Sequence, residues 1–302
     1  MTGQAPRVAI LDDYAGVASE LADWSPVRSR AGVTVFDRHL SEAEAVDALR
    51  PFDVVCTLRE RMAFPRTLIE RLPNLKLITI VGRSLPNLDL AAASDHGVLV
   101  SHSDFASPRF RSVRDATPEL AWGLMIAAVR NLGEEHRRMR DGGWQTTTGV
   151  TLSGKTIGLL GLGRVGKRMA GYAKAFGMQA IAWSQNLTEE AAAAVGASRV
   201  EKATLLRESD VVSVHLVLSE RTRGLIGAPE LALMKPTAYL INTSRGPIVD
   251  EAALIAALET GRIAGAGLDV YDVEPLPPDH PLRRLPNATL TPHLGYVTRE
   301  ML

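Results

Sequence analysis

Cysteine is almost absent from this chain. A single one, Cys56, among 302 residues excludes an intrachain disulfide and a cysteine-built metal site, and no metal is expected. It lies in the apolar run Asp53-Val-Val-Cys56 and reads as a small core residue. A net charge is absent too. Lys plus Arg (34) balance Asp plus Glu (34), so nothing global draws the chain to nucleic acid or to a membrane surface. No apolar run approaches a membrane span, and the opening MTGQAPRVAILDDYAG has no long apolar core with a cleavage site. The expectation is a cytoplasmic protein. A hydrophobic content of 46% with 23% charged residues, over this length, is enough for two globular domains with a core each.

Short apolar runs at 7–11, 33–36, 53–56, 75–81 and 98–100 read as buried strands, with helical segments between them. One of these, 41–49, opens with Ser41-Glu-Ala-Glu44, a capping-box pattern. Alternating strand and helix predicts a parallel sheet covered on both faces, whose ligands gather at the carboxyl ends of the strands. Two such ends carry arginines: Thr57-Leu-Arg59-Glu60-Arg61 and Val81-Gly82-Arg83-Ser84. For any one of these arginines, a solvated polar loop is the plainer reading. The rhythm breaks at 101–116, which is polar and holds Arg109, Arg111 and Arg114; it reads as a domain boundary rather than an anion clamp. Thr117-Pro118-Glu119 then predicts a helix start, with Thr117 as N-cap and Pro118 in the first helical position. Its apolarity to Val129 on all sides suggests burial on more than one face and hence a subunit interface. Residues 131–153, with Gly142-Gly143-Trp144, read as an arm or loop.

The stretch around which the second half is organised is KTIGLLGLGRVGKRMAGYAKAFGMQAIAWS, Lys155 to Ser184. A strand over 157–160 leads into Gly161-Leu-Gly163-Arg164-Val165-Gly166, a helix runs through Phe176, and 179–183 is the next strand. A bare G-x-G-x-x-G says little, but in a strand–turn–helix–strand context it reads as a dinucleotide site. Gly161 permits the tight turn, Gly163 lets a pyrophosphate approach the backbone, and Gly166 lets the helix pack close. The free N–H groups of the helix start then face an anion.

Beyond Ser184 the pattern resumes: a helix over 187–194 with an Asn186/Thr188 cap region, a strand over 209–218, and a short helix over 228–234. A strand over 238–242, a helix over 251–260 closed by Gly261, and a final strand over 264–270 follow. After that, Pro275, Pro277, Pro278, Pro281, Pro286 and Pro292 predict a surface wrap without regular elements.

Three segments place polar residues directly after buried strands. They are Asn242-Thr243-Ser244-Arg245-Gly246, Asp269-Val-Tyr-Asp-Val-Glu274 and Thr291-Pro292-His293-Leu-Gly295. If the sheet is parallel throughout, they share one edge with the glycine loop. Arginine grips a carboxylate bidentately, and histidine moves a proton near neutral pH. A glutamate on the other ring nitrogen would fix the tautomer and favour the charged form. Singly each residue has an ordinary structural explanation; together with the glycine loop they point to catalysis.

NTSRGPIVDEAAL, DVYDVEP and TPHLG, with GLGRVGKRMA, resemble the D-2-hydroxyacid dehydrogenases, in particular the D-3-phosphoglycerate-dehydrogenase-like subgroup. The likeness runs from the first strand to Gly295. It implies an α/β fold of two doubly wound parallel sheets: a flavodoxin-like substrate domain over 1–108, toward which 295–302 returns, and a Rossmann-type dinucleotide domain over 109–294. It implies hydride exchange between a nicotinamide dinucleotide and a small 2-hydroxy or 2-oxo acid. By the same likeness Arg245 holds the substrate carboxylate, His293 is the acid/base and Glu274 supports it. Asp269 would meet the nicotinamide carboxamide, while Leu216, Val217, Thr222, Thr243, Ser244 and Gly295 would line the cofactor. Val81 and Gly82 match the substrate-loop backbone, Arg59 lies near the substrate's tail, and a homodimer through the Rossmann domain is the family habit.

The chain departs from the family in three places. Ser184, followed by Gln185 and Asn186, stands where an acidic residue normally holds the adenosine ribose. A 2′-phosphate is not repelled there, and Arg164 is the basic residue in reach, so NAD and NADP are both admitted. The crossing over 101–116 is longer and more basic than the family's, and Leu302 falls where relatives continue into a helix. A rival reading keeps the fold without turnover, as a dinucleotide-sensing, corepressor-like protein; retention of Arg245, Glu274 and His293 together favours the enzyme. A formate dehydrogenase is disfavoured by Glu274, where that enzyme has glutamine.

Overall fold

The computed structural model describes residues 5–82, 87–103 and 112–302. The chain forms two compact units. One comprises residues 1–113 with 298–302, the other 114–297. Arg83, Ser84, Arg109 and Arg111, singled out above, lie outside the described residues.

The first unit holds a parallel sheet of β1 (Arg7–Ile10), β2 (Gly32–Val35), β3 (Val54–Leu58), β4 (Leu77–Val81) and β5 (Leu99–His102). Their order is β2-β1-β3-β4-β5, that of a flavodoxin-like doubly wound sheet. Ala9, Val55 and Ile78 from the sheet, with Leu49, Phe64, Leu68 and Ile69 around it, make one buried cluster. The helix Glu42–Leu49 begins as the sequence predicts. The Ser41 hydroxyl accepts the Glu44 N–H, and the Glu44 carboxylate accepts the Ser41 N–H at 2.9 Å. Two exit residues, Asp12 (φ 57°) and Arg59 (φ 51°), take left-handed backbone where β1 and β3 end.

The second unit is built on β6 (Thr156–Leu160), β7 (Gln179–Trp183), β8 (Ser198–Arg199), β9 (Val211–Val214), β10 (Tyr239–Asn242), β11 (Gly265–Leu268) and β12 (Ala288–Leu290). All are parallel in the order β12-β11-β10-β9-β6-β7-β8. Counted within the unit, that is the doubly wound Rossmann order 3-2-1-4-5-6 with one strand added, and its switch point lies between β6 and β9. The period-2 alternation sorts side chains onto two cores. Leu160, Val212, Val214, Leu240 and Leu268 face one cluster; Ile157, Leu159, Val211 and Ile241 face the other.

Several expectations are corrected. Thr117 is not an N-cap: the helix Ala116–Val129 starts two residues before Pro118, Asp115 flanks it, and the Thr117 hydroxyl instead donates to the Gly295 carbonyl at 2.7 Å. The apolarity of that helix is accounted for inside the unit. It lies between β10, β11 and β12 and the helix Arg164–Ala175, with Trp122 set edge-on to Tyr172 at 5.7 Å. Part of the supposed arm is the helix Leu132–Arg140. It has no buried residue, carries only Leu132 and Met139 as large apolar side chains, and is braced by Glu134 with Arg137 and Arg138. The 209–218 strand is only Val211–Val214, because the following residues turn back through a loop closed by Thr222. The 264–270 strand is not the last: Ala288–Leu290 pairs with β11 and contributes a seventh strand amid the prolines. A short 3-10 turn, Pro281–Arg284, also breaks the expected irregular wrap, since proline tolerates a first turn.

Candidate functional site

The site follows from register. Trp183, Leu160, Val214, Asn242, Leu268 and Leu290 stand side by side across the sheet of the second unit. The next residue on each strand therefore forms the row at the carboxyl edge: Ser184, Gly161, His215, Thr243, Asp269 and Thr291. Ladder bonds hold four of them in line. Gly161, His215, Asp269 and Thr291 donate to Trp183, Leu160, Asn242 and Leu268 at 2.8–3.0 Å. Four members of the row are candidates from sequence; His215 belongs to no recognisable motif, and Thr291 opens TPHLG without a role of its own assigned to it.

The glycine loop shows three different uses. Gly161 has φ 101°, and a Cβ there would sit 2.5 Å from the His215 carbonyl oxygen. Gly166 faces back on Gly161, whose carbonyl oxygen would be 2.1 Å from an added Cβ. Gly163 is different: a Cβ would meet nothing within 4 Å, so its backbone borders open space at the N-terminus of the helix Arg164–Ala175. That free approach at the positive end of a 12-residue helix fits a diphosphate. In the same row of strand exits, the Thr243 Oγ1 and the His215 Nδ1 are sequestered polar atoms without a protein partner among the described residues. The Val165 side chain packs against the core cluster. The Arg164 Nη1 donates to the Arg114 carbonyl, so it is drawn to the start of the Ala116–Val129 helix.

Arg245 is held by the turn that leaves β10. Asn242 organises that turn: its Nδ2 donates to the Arg245 carbonyl at 3.0 Å and its Oδ1 accepts the Ser244 N–H at 3.0 Å. The Ser244 hydroxyl donates to Val214 at 2.9 Å, tying the turn to β9. The Arg245 Nη1 donates to the Ser244 carbonyl at 2.7 Å. Gly246 comes next because a Cβ there would fall 2.1 Å from the Tyr271 carbonyl carbon. The β10 and β11 exits are thus pressed together at Arg245.

The β11 and β12 exits are stitched by two buried residues. Asp269 is fully buried; its Oδ1 accepts the Thr291 hydroxyl at 2.6 Å and the Leu294 N–H at 2.7 Å, and its Oδ2 accepts the Gly295 N–H at 2.8 Å. Burial pushes its carboxyl up from the ordinary range, against the lowering effect of these hydrogen bonds. The Tyr271 hydroxyl donates to Thr291 at 2.9 Å and to Leu268 at 3.2 Å, and burial raises its phenol. Its own N–H donates to the Glu274 Oε1 at 3.0 Å. The other Glu274 oxygen lies 2.5 Å from the His293 Nδ1. His293 itself has φ 55°, uncommon for a side-chain-bearing residue, and its ring meets Tyr296 edge-on at 5.2 Å. An imidazole, a carboxylate and a guanidinium-bearing turn therefore occupy neighbouring exits of the strand edge that carries the glycine loop.

Leu216 borders Gly161, whose added Cβ would be 3.1 Å from the Leu216 Cδ2. Val217 is 83% exposed, and Thr222 closes the loop behind it, accepting from Ser219 and donating to Val217 at 2.7 Å. Arg59, Val81 and Gly82 belong to the other unit and are adjacent there. The Arg59 N–H donates to Val81 at 3.2 Å, and Gly82, at φ 140°, lies against the Arg59 Cγ. Among the described residues no group of His, Cys, Asp and Glu could hold a metal ion, and no helix is long and apolar enough to cross a membrane.

With this geometry in place, similarity to known proteins is informative. Residues 122–295 match the profile of the D-isomer specific 2-hydroxyacid dehydrogenase, NAD binding domain. A glyoxylate reductase from Aeropyrum pernix is 39% identical over 274 residues, 88% of this chain and 78% of its own. A D-3-phosphoglycerate dehydrogenase from Archaeoglobus fulgidus is 36% identical over 263 residues, 86% of this chain but 49% of the relative. Among solved structures, a phosphoglycerate oxidoreductase from Vibrio cholerae superposes with a TM-score of 0.90 at 34% identity, covering 99% of this chain and 94% of that one.

Proposed function

The chain belongs to the D-isomer specific 2-hydroxyacid dehydrogenases and is an NAD(P)-dependent oxidoreductase, and we propose that within this chemistry Arg245, Glu274 and His293 are its working residues on a small 2-oxo acid. The observation that carries the assignment is the 2.5 Å contact between the Glu274 Oε2 and the His293 Nδ1, on the sheet edge of the glycine loop. A bound nicotinamide dinucleotide supplies or accepts the hydride. The protein's own part is to bind, orient and move one proton. With Nδ1 committed to Glu274, His293 presents Nε2 to the substrate oxygen, donating during reduction and accepting during oxidation. Arg245 takes the substrate carboxylate, which sets the carbonyl carbon at a fixed distance from the imidazole. Gly163 and the N–H groups beyond it receive the diphosphate, with Val165, Leu216, Val217, Thr222, Thr243, Ser244 and Gly295 around the dinucleotide. Asp269 shapes the loop that carries His293.

Ser184 bears no charge at the position where a carboxylate would repel a 2′-phosphate, so both NADH and NADPH are accepted. A homodimer through the second unit is supported by the exposed apolar side chains Leu132, Met139 and Trp144 (74% exposed) on and after the Leu132–Arg140 helix. The test is nicotinamide absorbance with glyoxylate, hydroxypyruvate, pyruvate and phosphohydroxypyruvate, run with each cofactor. Turnover of at least one oxo acid, lost in Arg245→Ala through a raised KM and in His293→Ala through a lowered kcat, is the expected result. Dinucleotide binding with silence across the panel would overturn the assignment.

A further inference from the structure

The loop that leaves β7 takes the adenosine ribose in the reading above, and the present inference rests on that reading. It runs Ser184-Gln-Asn-Leu187 and is closed by the Leu187 N–H donating to the Ser184 carbonyl at 3.1 Å. No residue from Ser184 to Thr188 carries a charge. A charge arrives from the neighbouring strand. In the β7–β8 pairing Arg199 stands opposite Ala182, two residues before Ser184 on the same side of the sheet. From there the Arg199 side chain reaches forward, and its Nε donates to the Leu187 carbonyl at 2.9 Å. The guanidinium is thereby fixed on the loop, one third exposed. Its Nη2 meets the Glu201 Oε1 at 3.0 Å, but Glu201 is 70% exposed. A pair this exposed holds weakly, so Glu201 yields to a stronger anion.

We propose that Arg199 binds the 2′-phosphate of NADP(H) and makes this chain prefer the phosphorylated dinucleotide. A guanidinium fork matches a phosphate bidentately, and the bond to Leu187 pre-orients it so that little side-chain freedom is lost on binding. Glu201 acts in opposition, competing for the guanidinium and repelling the phosphate. The determinant of cofactor choice is then one strand away from the position usually read for it, which is why the sequence around Ser184 is indecisive.

The experiment is calorimetric titration of the full chain with adenosine 2′,5′-bisphosphate and 5′-AMP, and fluorescence titration with NADPH and NADH; neither needs turnover. Wild type is expected to bind each 2′-phosphorylated ligand ~tenfold more tightly than its partner, the effect of one charge-assisted pair. Arg199→Ala should remove that difference while 5′-AMP and NADH change by less than about twofold, and Glu201→Gln should widen it. Equal weakening of both ligand types in Arg199→Ala would make the arginine a brace for the loop only and overturn the proposal. Absence of a wild-type preference would overturn it as well. Failure of NADH and 5′-AMP to bind at all would instead remove the dinucleotide reading beneath it.

Discussion

The Nδ1 of His293 lies 2.5 Å from the Oε2 of Glu274, and the Oε1 of the same carboxylate is held by the Tyr271 N–H at 3.0 Å. Nineteen residues separate the pair in sequence, and the imidazole reaches it from a left-handed backbone at φ 55°. The glutamate is thus anchored at one oxygen and spends the other on orienting a ring.

From this pairing, His293→Ala is expected to lower kcat by ~10²-fold or more, the loss of general acid–base help, with KM little changed. Glu274→Gln keeps a hydrogen-bonding side chain but permits the wrong tautomer, and should fall between wild type and His293→Ala. Steady-state rates across pH decide it; a Glu274→Gln variant with unaltered kcat and an unaltered pH profile would contradict the pairing's role.

Asp269 accepts three hydrogen bonds from the 291–295 segment. Asp269→Asn turns one acceptor into a donor facing an N–H or a hydroxyl, so it should cost ~1–3 kcal/mol of stability. It should also loosen the His293 loop. Denaturant unfolding and kcat should fall together. A variant of unchanged stability would mean that these contacts count for little.

Gly163 and Gly166 separate binding from packing. Gly166→Ala drives a methyl into the Gly161 carbonyl, 2.1 Å away, and should destabilise by ~2 kcal/mol or more through overpacking. Gly163→Ala places its methyl in open space and should leave the melting temperature within about 1 °C, yet weaken NADH ~tenfold or more by crowding the diphosphate. Thermal scans and fluorescence titration read the two effects independently.

His215 hydrogen-bonds through Nε2 to the Ser213 hydroxyl at 2.9 Å, and burial lowers its pKa from 6.5 to about 3. Between those values the unfolded chain binds more protons than the folded one. Stability therefore rises with pH across the window, and what this residue contributes is fully present above 6.5 and lost as pH falls toward 3. The slope from this one group reaches ~1.4 kcal/mol per pH unit. His215→Gln should flatten the stability curve between pH 4 and 6.5 by that amount, measured as the difference from wild type by urea unfolding. Parallel curves would show that the imidazole is not held neutral.

How much was readable in advance varies by element. The β6–loop–β7 unit was, because the apolar run Ile157–Leu160 followed by the G-x-G-x-x-G spacing and a helical period leaves few alternatives, and 179–183 forms β7 residue for residue. The Ser41 capping box was readable because its bonds span three residues. Leu132–Arg140 was not: two apolar residues a heptad apart, Leu132 and Met139, among seven polar residues or glycine are too few to mark a core-facing stripe. Nor was β12, three residues among prolines that exist as a strand only because β11 offers its free edge. Thr117 carries the local marks of a cap, yet its hydroxyl serves Gly295, 178 residues away.

Arg245, Glu274 and His293 could be picked out from the chain alone, since each follows a buried strand and parallel strands deliver their exits to one edge. Local sequence likewise determined that strands and helices alternate and that the strands run parallel, because hydrophobic period and glycine spacing act over a few residues; the doubly wound order of each sheet was implied only by the family resemblance. Their partners were decided only in three dimensions. The pairing of Glu274 with His293, the three bonds of Asp269 to the His293 loop, the place of His215 beneath Gly161 and the reach of Arg199 to Leu187 all join residues from the exits of different strands. Such contacts depend on strand order and register, which are set when the whole sheet buries its two faces at once and are written in no single stretch of the chain.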